Sequence, residues 1–355
     1  MCPFVLKEYE NKTYFNEAPF FATLKDVERI LPRHTLFSKK IEKETEIEFN
    51  FFKGETLLNP EAMDIFKYIK RRYKKSKIAV LSNGTIPPLN VEIVKYIDVL
   101  GFSLDGGTKE VFESIRTPAN FEHVIGTIKE WIKVQKIYNP DLLLRTSTTL
   151  SKMNIEDLPN IVETVGEAIN EVGGRWDSIY CQPVVIEDYQ SVELKKITLE
   201  HVPLETGRDI LKETEKVAIK YNIRLDIPQS IYEMFGYNSK SESVNINEEK
   251  KQEPEVLKEA FCDKLSNGYL SYDLNGRVGF ACCFMDKKYW RDLIERYNIP
   301  DYKNPDIIYN SKGYWQLRKD LLEGKLQKEC RNCTIGKSNY YKLRTKLLEE
   351  SIMKK

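Results

Sequence analysis

The feature that most constrains this chain is a repeated alternation of short β-rich runs with amphipathic helical stretches. Runs at 46–52 (EIEFNFF), 77–82 (KIAVLS), 98–104 (DVLGFSL), 142–150 (LLLRTSTTL), 177–185 (DSIYCQPVV) and 223–227 read as strands. Helical spacing or composition marks 23–31, 60–75, 91–96, 108–115, 121–137, 156–171 and 204–221. Strand–helix units of this length predict an α/β fold, a parallel sheet with helices outside it. Five or six units suffice for a partial barrel and fall short of a full eight-fold one. Hydrophobic residues make up 41% of the chain, enough to fill the core such a sheet needs.

In this architecture ligands bind at the C-terminal ends of the strands. The residues that follow the strands are therefore the informative ones. Lys53, Gly54, Glu55 and Thr56 follow the first strand, and Asn83, Gly84 and Thr85 the second. The third ends in Ser103, Leu104, Asp105 and Gly106. The fourth carries Arg145 and Ser147 and leads to Asn154. Carboxylates, amides and glycines at successive strand ends suit a small zwitterionic ligand. Asn-Gly and Asp-Gly are also ordinary turn chemistry, so recurrence is the stronger signal here.

The seven cysteines crowd toward the end of the chain. Cys262 opens a segment with an Asn275–Gly276 hairpin signal, and Cys282 returns near it at the far end. Cys330 and Cys333 add a Cys-x-x-Cys pair. Four soft thiolates converging on one point suit Zn²⁺ or an iron–sulfur cluster. Cys283 is ambiguous, because neighbours in an extended strand face opposite ways. Cys181, in an apolar strand, is expected to fill core. His34, His123 and His201 are scattered and form no ligand pair at helical spacing.

Other readings are plainer. A net charge of +1 gives no general pull toward nucleic acid or a membrane surface. The basic run at 70–77 falls at a predicted helix C-terminus, where cations are favoured and solvated. No apolar run approaches the ~20 residues of a membrane span, and the N-terminus lacks an apolar signal region. The protein is expected in the cytoplasm.

Together the motifs resemble the radical S-adenosylmethionine (SAM) enzymes that carry a C-terminal SPASM or twitch auxiliary-cluster domain. FFKGETLLNPE resembles that family's Gly-Gly-Glu-Pro segment, with Lys53 in place of a glycine and Thr56 in place of the proline. LSNGT, SLDGGTKEVFESIRTPANFEHVI and TSTTLSKMNIEDLPNIV are similar to the segments that follow it, in order. YLSYDLNGRVGFACC and LRKDLLEGKLQKECRNC are similar to the auxiliary-cluster half.

The resemblance implies a partial (β/α)6 barrel over 1–235 that lacks its first strand. A polar linker over 236–258, a small cysteine-rich α+β domain over 259–340 and a helical tail over 341–355 follow. It implies that Glu55 holds the amino group of SAM, with Gly54 permitting close approach. Asn83, Ser103, Asp105, Arg145 and Asn154 become further SAM-binding candidates, the last four for ribose and carboxylate contacts. Cys262, Cys282, Cys330 and Cys333 would hold one auxiliary [4Fe-4S] cluster. The implied chemistry is reductive cleavage of SAM to a 5′-deoxyadenosyl radical and hydrogen abstraction from a substrate. That substrate is a peptide or small molecule, and a one-electron donor protein is the implied partner. The family's Cys-x-x-x-Cys-x-x-Cys is represented by Cys2 alone, in the position of its third cysteine. The expectation is that the missing pair lies upstream of this sequence, with a shortened, inactive protein and donation by a partner chain as alternatives. The rival reading is a binding or scaffold protein with a structural Cys₄ site.

Overall fold

The computed structural model describes residues 21–30, 47–51, 54–184, 196–237, 270–272, 278–280, 295–299 and 311–322. The chain divides into two compact units, Met1–Thr23 with Lys40–Glu248, and Leu24–Lys39 with Glu249–Lys355.

The first unit is built on six strands: β1 (Ile47–Phe51), β2 (Ser76–Ser82), β3 (Val99–Ser103), β4 (Leu143–Leu150), β5 (Ser178–Pro183) and β6 (Arg224–Asp226). They form one sheet in chain order, every pair parallel. The second unit holds α1 (Leu24–Ile30). The helices of the first unit are α2 (Ala62–Arg72), α3 (Lys109–Ile115), α4 (Phe121–Tyr138), α5 (Leu158–Val172), α6 (Leu204–Tyr221) and α7 (Gln229–Met234). A sheet in strict chain order has no point at which the winding reverses. Right-handed crossovers then place all connecting helices on one face. Accordingly α4 packs on α5, and α5 on α6.

The strand register sorts side chains between the two faces. The helix side carries Phe49, Ile78, Val80, Leu100, Phe102, Leu144, Thr146, Thr148, Leu150, Ile179 and Cys181. Phe102 sits between Trp131 of α4 and Trp176, with ring centroids 6.4 and 5.7 Å away. Phe51 meets Phe66 of α2 at 5.0 Å. Full burial of each such side chain contributes about 1.5–3 kcal/mol. Cys181 lies fully buried here, as its apolar strand predicts, and burial pushes its thiol up.

Helix and strand limits agree with the sequence expectations to within two residues, the usual uncertainty of element ends, except that the helix expected over 60–75 ends three residues early, at Arg72. The expected helix at 91–96 is a 3₁₀ segment, Val91–Tyr96, capped by Asn90 through Glu92 N. Six residues are too few to offset the nucleation cost of an isolated α-helix. Part of the basic run is not merely solvated. Lys70 pairs with Asp98 and donates to the Ser76 carbonyl, and Arg72 donates to the Tyr68 hydroxyl at 2.7 Å. Asp98 also accepts the Ile78 N–H, and Asp177 the Leu144 N–H, both at 2.6 Å. The residue preceding each of β3 and β5 thus closes the start of the neighbouring strand.

In the second unit β7 (Leu270–Tyr272) and β8 (Val278–Phe280) pair antiparallel, as the Asn275–Gly276 signal predicts. α8 (Lys312–Leu322) follows. Apart from 236–237, 295–299 and 311, the rest of the expected linker, cysteine section and tail lies outside the described residues. Among the described residues no helix is long and apolar enough to cross a membrane.

Candidate functional site at the strand ends

The exits of β1 and β2 are tied together by one carboxylate. Gly54 adopts φ +71°, a left-handed conformation that favours glycine. The next residue, Glu55, caps the 3₁₀ turn Thr56–Leu58, its Oε1 accepting from Leu57 N at 3.3 Å. Its Oε2 crosses to the end of β2 and accepts from Ser82 Oγ at 3.1 Å and Asn83 N at 2.8 Å. Burial pushes the Glu55 carboxyl above its ordinary value, while the bonds from Asn83, Ser82 and Leu57 act the other way. A carboxylate offers about four lone-pair positions. Three are engaged, which leaves room for one more donor.

The turn after β2 is held from behind. Asn83 Oδ1 accepts from Thr85 N at 2.9 Å and Thr85 Oγ1 at 2.6 Å. From α4, His123 Nε2 lies 2.9 Å from the Thr85 carbonyl oxygen, and Trp131 Nε1 donates to the Ile86 carbonyl at 3.0 Å. Neither contact is visible as a motif, since both join positions about forty residues apart.

The third strand's exit forms a clamp with the fourth's. Asp105 is fully buried. Its Oδ2 pairs with Arg116, at 2.7 Å to Nε and 2.6 Å to the terminal nitrogen, and its Oδ1 accepts from Thr149 N at 2.7 Å. Asn154 donates to the carbonyls of Asp105 and Thr149 and accepts from Ser151. Asp157, which the sequence reading passed over, accepts from Gly107 N at 2.6 Å and Thr108 N at 3.0 Å. A Cβ at Gly107 would lie 2.1 Å from backbone atoms of Asn160 and Ile161, so the glycine is a packing requirement. Asp105 and Asn154 therefore spend their polar atoms on the fold.

Ser103 and Arg145 differ. They lie on the sheet face opposite the helices, together with Ser147, Thr149, Tyr180 and Gln182. Ser103 is buried, and its hydroxyl has no partner among the described residues. The Arg145 Nε is also buried without a hydrogen-bond partner there. Its guanidinium lies over the Tyr180 ring, 5.6 Å from the centroid. A buried donor without an acceptor costs about 1–3 kcal/mol, more when charged, so this group is ready for an anion.

The predicted residues thus separate into three groups: Gly54, Glu55 and Asn83 at β1–β2; Ser103 and Arg145 on the open face; Asp105 and Asn154 in the clamp. Cys2, Cys262, Cys282, Cys330 and Cys333 lie outside the described residues, as does Lys53. Among the described residues no three His, Cys, Asp or Glu side chains converge as a metal site.

No family model and no curated protein sequence matches the chain. Solved structures do. SuiB of Streptococcus suis matches with a TM-score of 0.50 at 14% identity, over 84% of this chain and 62% of SuiB. SuiB bound to S-adenosylmethionine matches with a TM-score of 0.48 at 14% identity, over 85% and 61%. An archaeal TYW1 matches with 0.31 at 16% identity, over 49% of each chain. The chain thus spans about three fifths of the length of SuiB. At this identity the likeness concerns the fold. The parallel sheet in chain order and the likeness to SuiB agree on one conclusion: the chain has an α/β fold like that of SuiB.

Proposed function

We propose that this chain is a radical SAM enzyme that binds SAM on the open, polar face of its sheet. We read that sheet as the arc of a partial barrel, with the open face as its interior. The observation that carries the proposal is a carboxylate with spare acceptor capacity at the exits of β1 and β2 and a cation without an acceptor among the described residues on β4 of the same sheet. Glu55 keeps acceptor capacity beside β1 and β2, and Arg145, on β4, has a buried Nε with no acceptor among the described residues. The methionine part of SAM carries an ammonium and a carboxylate, and these two side chains suit them in turn. Glu55 takes the ammonium by a charge-assisted bond. Arg145, with the Ser103 hydroxyl, takes the carboxylate. Asp105 and Asn154 act behind them by tying together the exits of β3 and β4, beside Ser103 and Thr149. The turn at Asn83 sets the Glu55 carboxylate through its N–H.

Cys2 and the cysteines Cys262, Cys282, Cys330 and Cys333 are the proposed thiolate ligands, the last four for one auxiliary [4Fe-4S] cluster in the 259–340 segment. A cluster at the SAM site supplies, when bound, the electron for reductive cleavage of SAM and so for hydrogen abstraction from substrate. The helices keep bulk water from the other face of the sheet, and the open face leaves its polar lining for the ligand. A peptide or small-molecule substrate, a one-electron donor protein and a cytoplasmic setting, where thiols stay reduced, complete the reading.

The test is anaerobic reconstitution of the full chain with iron and sulfide, metal and sulfide counting, and equilibrium binding of SAM. The expected result is a brown protein that binds SAM, and Arg145→Leu binds it more weakly. A colourless zinc protein without SAM affinity would overturn the proposal and favour the scaffold reading.

A further inference from the structure

Resting on that reading of the open face, we propose that Tyr180 is a positioning residue that holds the Arg145 guanidinium ready for a carboxylate. An arginine side chain has about 2 kcal/mol of rotamer entropy to lose when it is fixed. Hydrogen bonds usually fix it, yet the buried Nε of Arg145 has none among the described residues. Two carboxylates, one on β6 and one at the exit of β3, have other partners. Asp226, level with Tyr180 in the sheet, is held by Arg224 at 2.8 and 2.9 Å. Asp105 is held by Arg116.

What holds Arg145 is shape and ring contact. Opposite it on β3 stands Gly101, where an added Cβ would lie 3.6 Å from Arg145 Nε and 3.7 Å from its Cγ. These are ordinary contact distances, so the Arg145 side chain runs close against the Gly101 position. On the other side of β4, the Tyr180 ring of β5 lies inside the ~6 Å reach of a cation–π contact with the guanidinium. Tyr180 is 37% exposed, and its hydroxyl has no partner among the described residues. The ring face is therefore committed to Arg145 while the edge stays open. Tyr180 touches no reacting group in this scheme and acts through the arginine. Because it orders a cation that meets only the carboxylate end, it tunes selectivity for ligands that carry that carboxylate.

The experiment compares SAM with its decarboxylated analogue, measured by equilibrium binding to the reconstituted full chain. Wild type is expected to prefer SAM, and Arg145→Leu to lose the preference. Tyr180→Phe keeps the ring and should keep the preference. Tyr180→Leu should lower it about 3- to 10-fold, the size of a partly desolvated cation–π contact, with affinity for the decarboxylated analogue unchanged. An unaltered preference in Tyr180→Leu overturns the inference, and so does equal weakening of both ligands. Should the chain bind neither ligand, the functional reading falls. Exchange of the Arg145 Nε–H proton in the free protein then decides the inference alone: slow in wild type and Tyr180→Phe and fast in Tyr180→Leu supports it, and equal rates overturn it.

Discussion

At the scale of single residues, Glu55 joins a role in the fold to the ligand role proposed for it. Its burial favours the protonated form, so the folded chain holds a proton there more tightly than the unfolded chain does. The stability that this group contributes is present at low pH and is lost as pH rises from the ordinary carboxylate value through the raised one. A ligand ammonium reverses the preference, because it needs the ionised form. SAM affinity should therefore rise as pH rises through the raised Glu55 value and then level off. In Glu55→Gln the rise should disappear, with affinity about 10- to 100-fold below the wild-type plateau, the size of one hydrogen bond to a charged group. Equilibrium binding across the acidic range checks both. Glu55 was legible as a site candidate because charge at a strand end is a strong sequence signal, and Arg145 because it is the one charge in the run LLRTSTTL. Asp105 and Asn154 gave the same signal for another reason. Sequence reports that a polar residue stands at a strand end, and only the partners Arg116, Thr149 and Ser151 tell where its hydrogen bonds go.

At the scale of elements, the loop of Asp105, Gly106 and Gly107 is a joint between two strand exits. Asp157 receives two backbone N–H groups from it, and the backbone of Asn160 and Ile161 fills the space beside Gly107. Gly107→Ala has no room and should destabilise the chain by about 3 kcal/mol or more, at the upper end of overpacking costs. Gly126, exposed in the middle of α4, has open space where a methyl group would stand, with nothing within 4 Å. Gly126→Ala should stabilise by about 0.5–1 kcal/mol through helix propensity. Denaturant midpoints of the two variants, shifted in opposite directions, check the pair. The sequence marked both residues as glycine and could not separate them, because the difference is made by residues more than fifty positions away. The extents of α2 to α6 were legible, since each rests on a local period of apolar residues. α7 was not: six residues carry too little periodicity to be seen.

At the scale of the whole molecule, the parallel sheet was legible from strand–helix alternation, but its two-faced character was not. Leu144, Thr146 and Thr148 face the helices, whereas Arg145, Ser147 and Thr149 face away. A run such as LLRTSTTL becomes interpretable once register assigns its faces. The same partition separates what a metal can and cannot stabilise. The core of the first unit is made of side chains such as Phe66, Phe102, Trp131, Leu144 and Ile161, all buried without any metal ligand among them. The proposed thiolates Cys262, Cys282, Cys330 and Cys333 belong to the second unit, where metal affinity would be folding free energy. Removing iron by chelation should therefore leave amide exchange in β2 to β5 slow, because those amides answer to the apolar core. Amides around the four cysteines should exchange faster, and Cys330→Ala should reproduce that pattern in the reconstituted chain. Exchange mass spectrometry reads both regions in one sample. Equal loss of protection in the sheet would mean that the metal supports the first unit as well, and unchanged exchange around the cysteines would remove them as ligands.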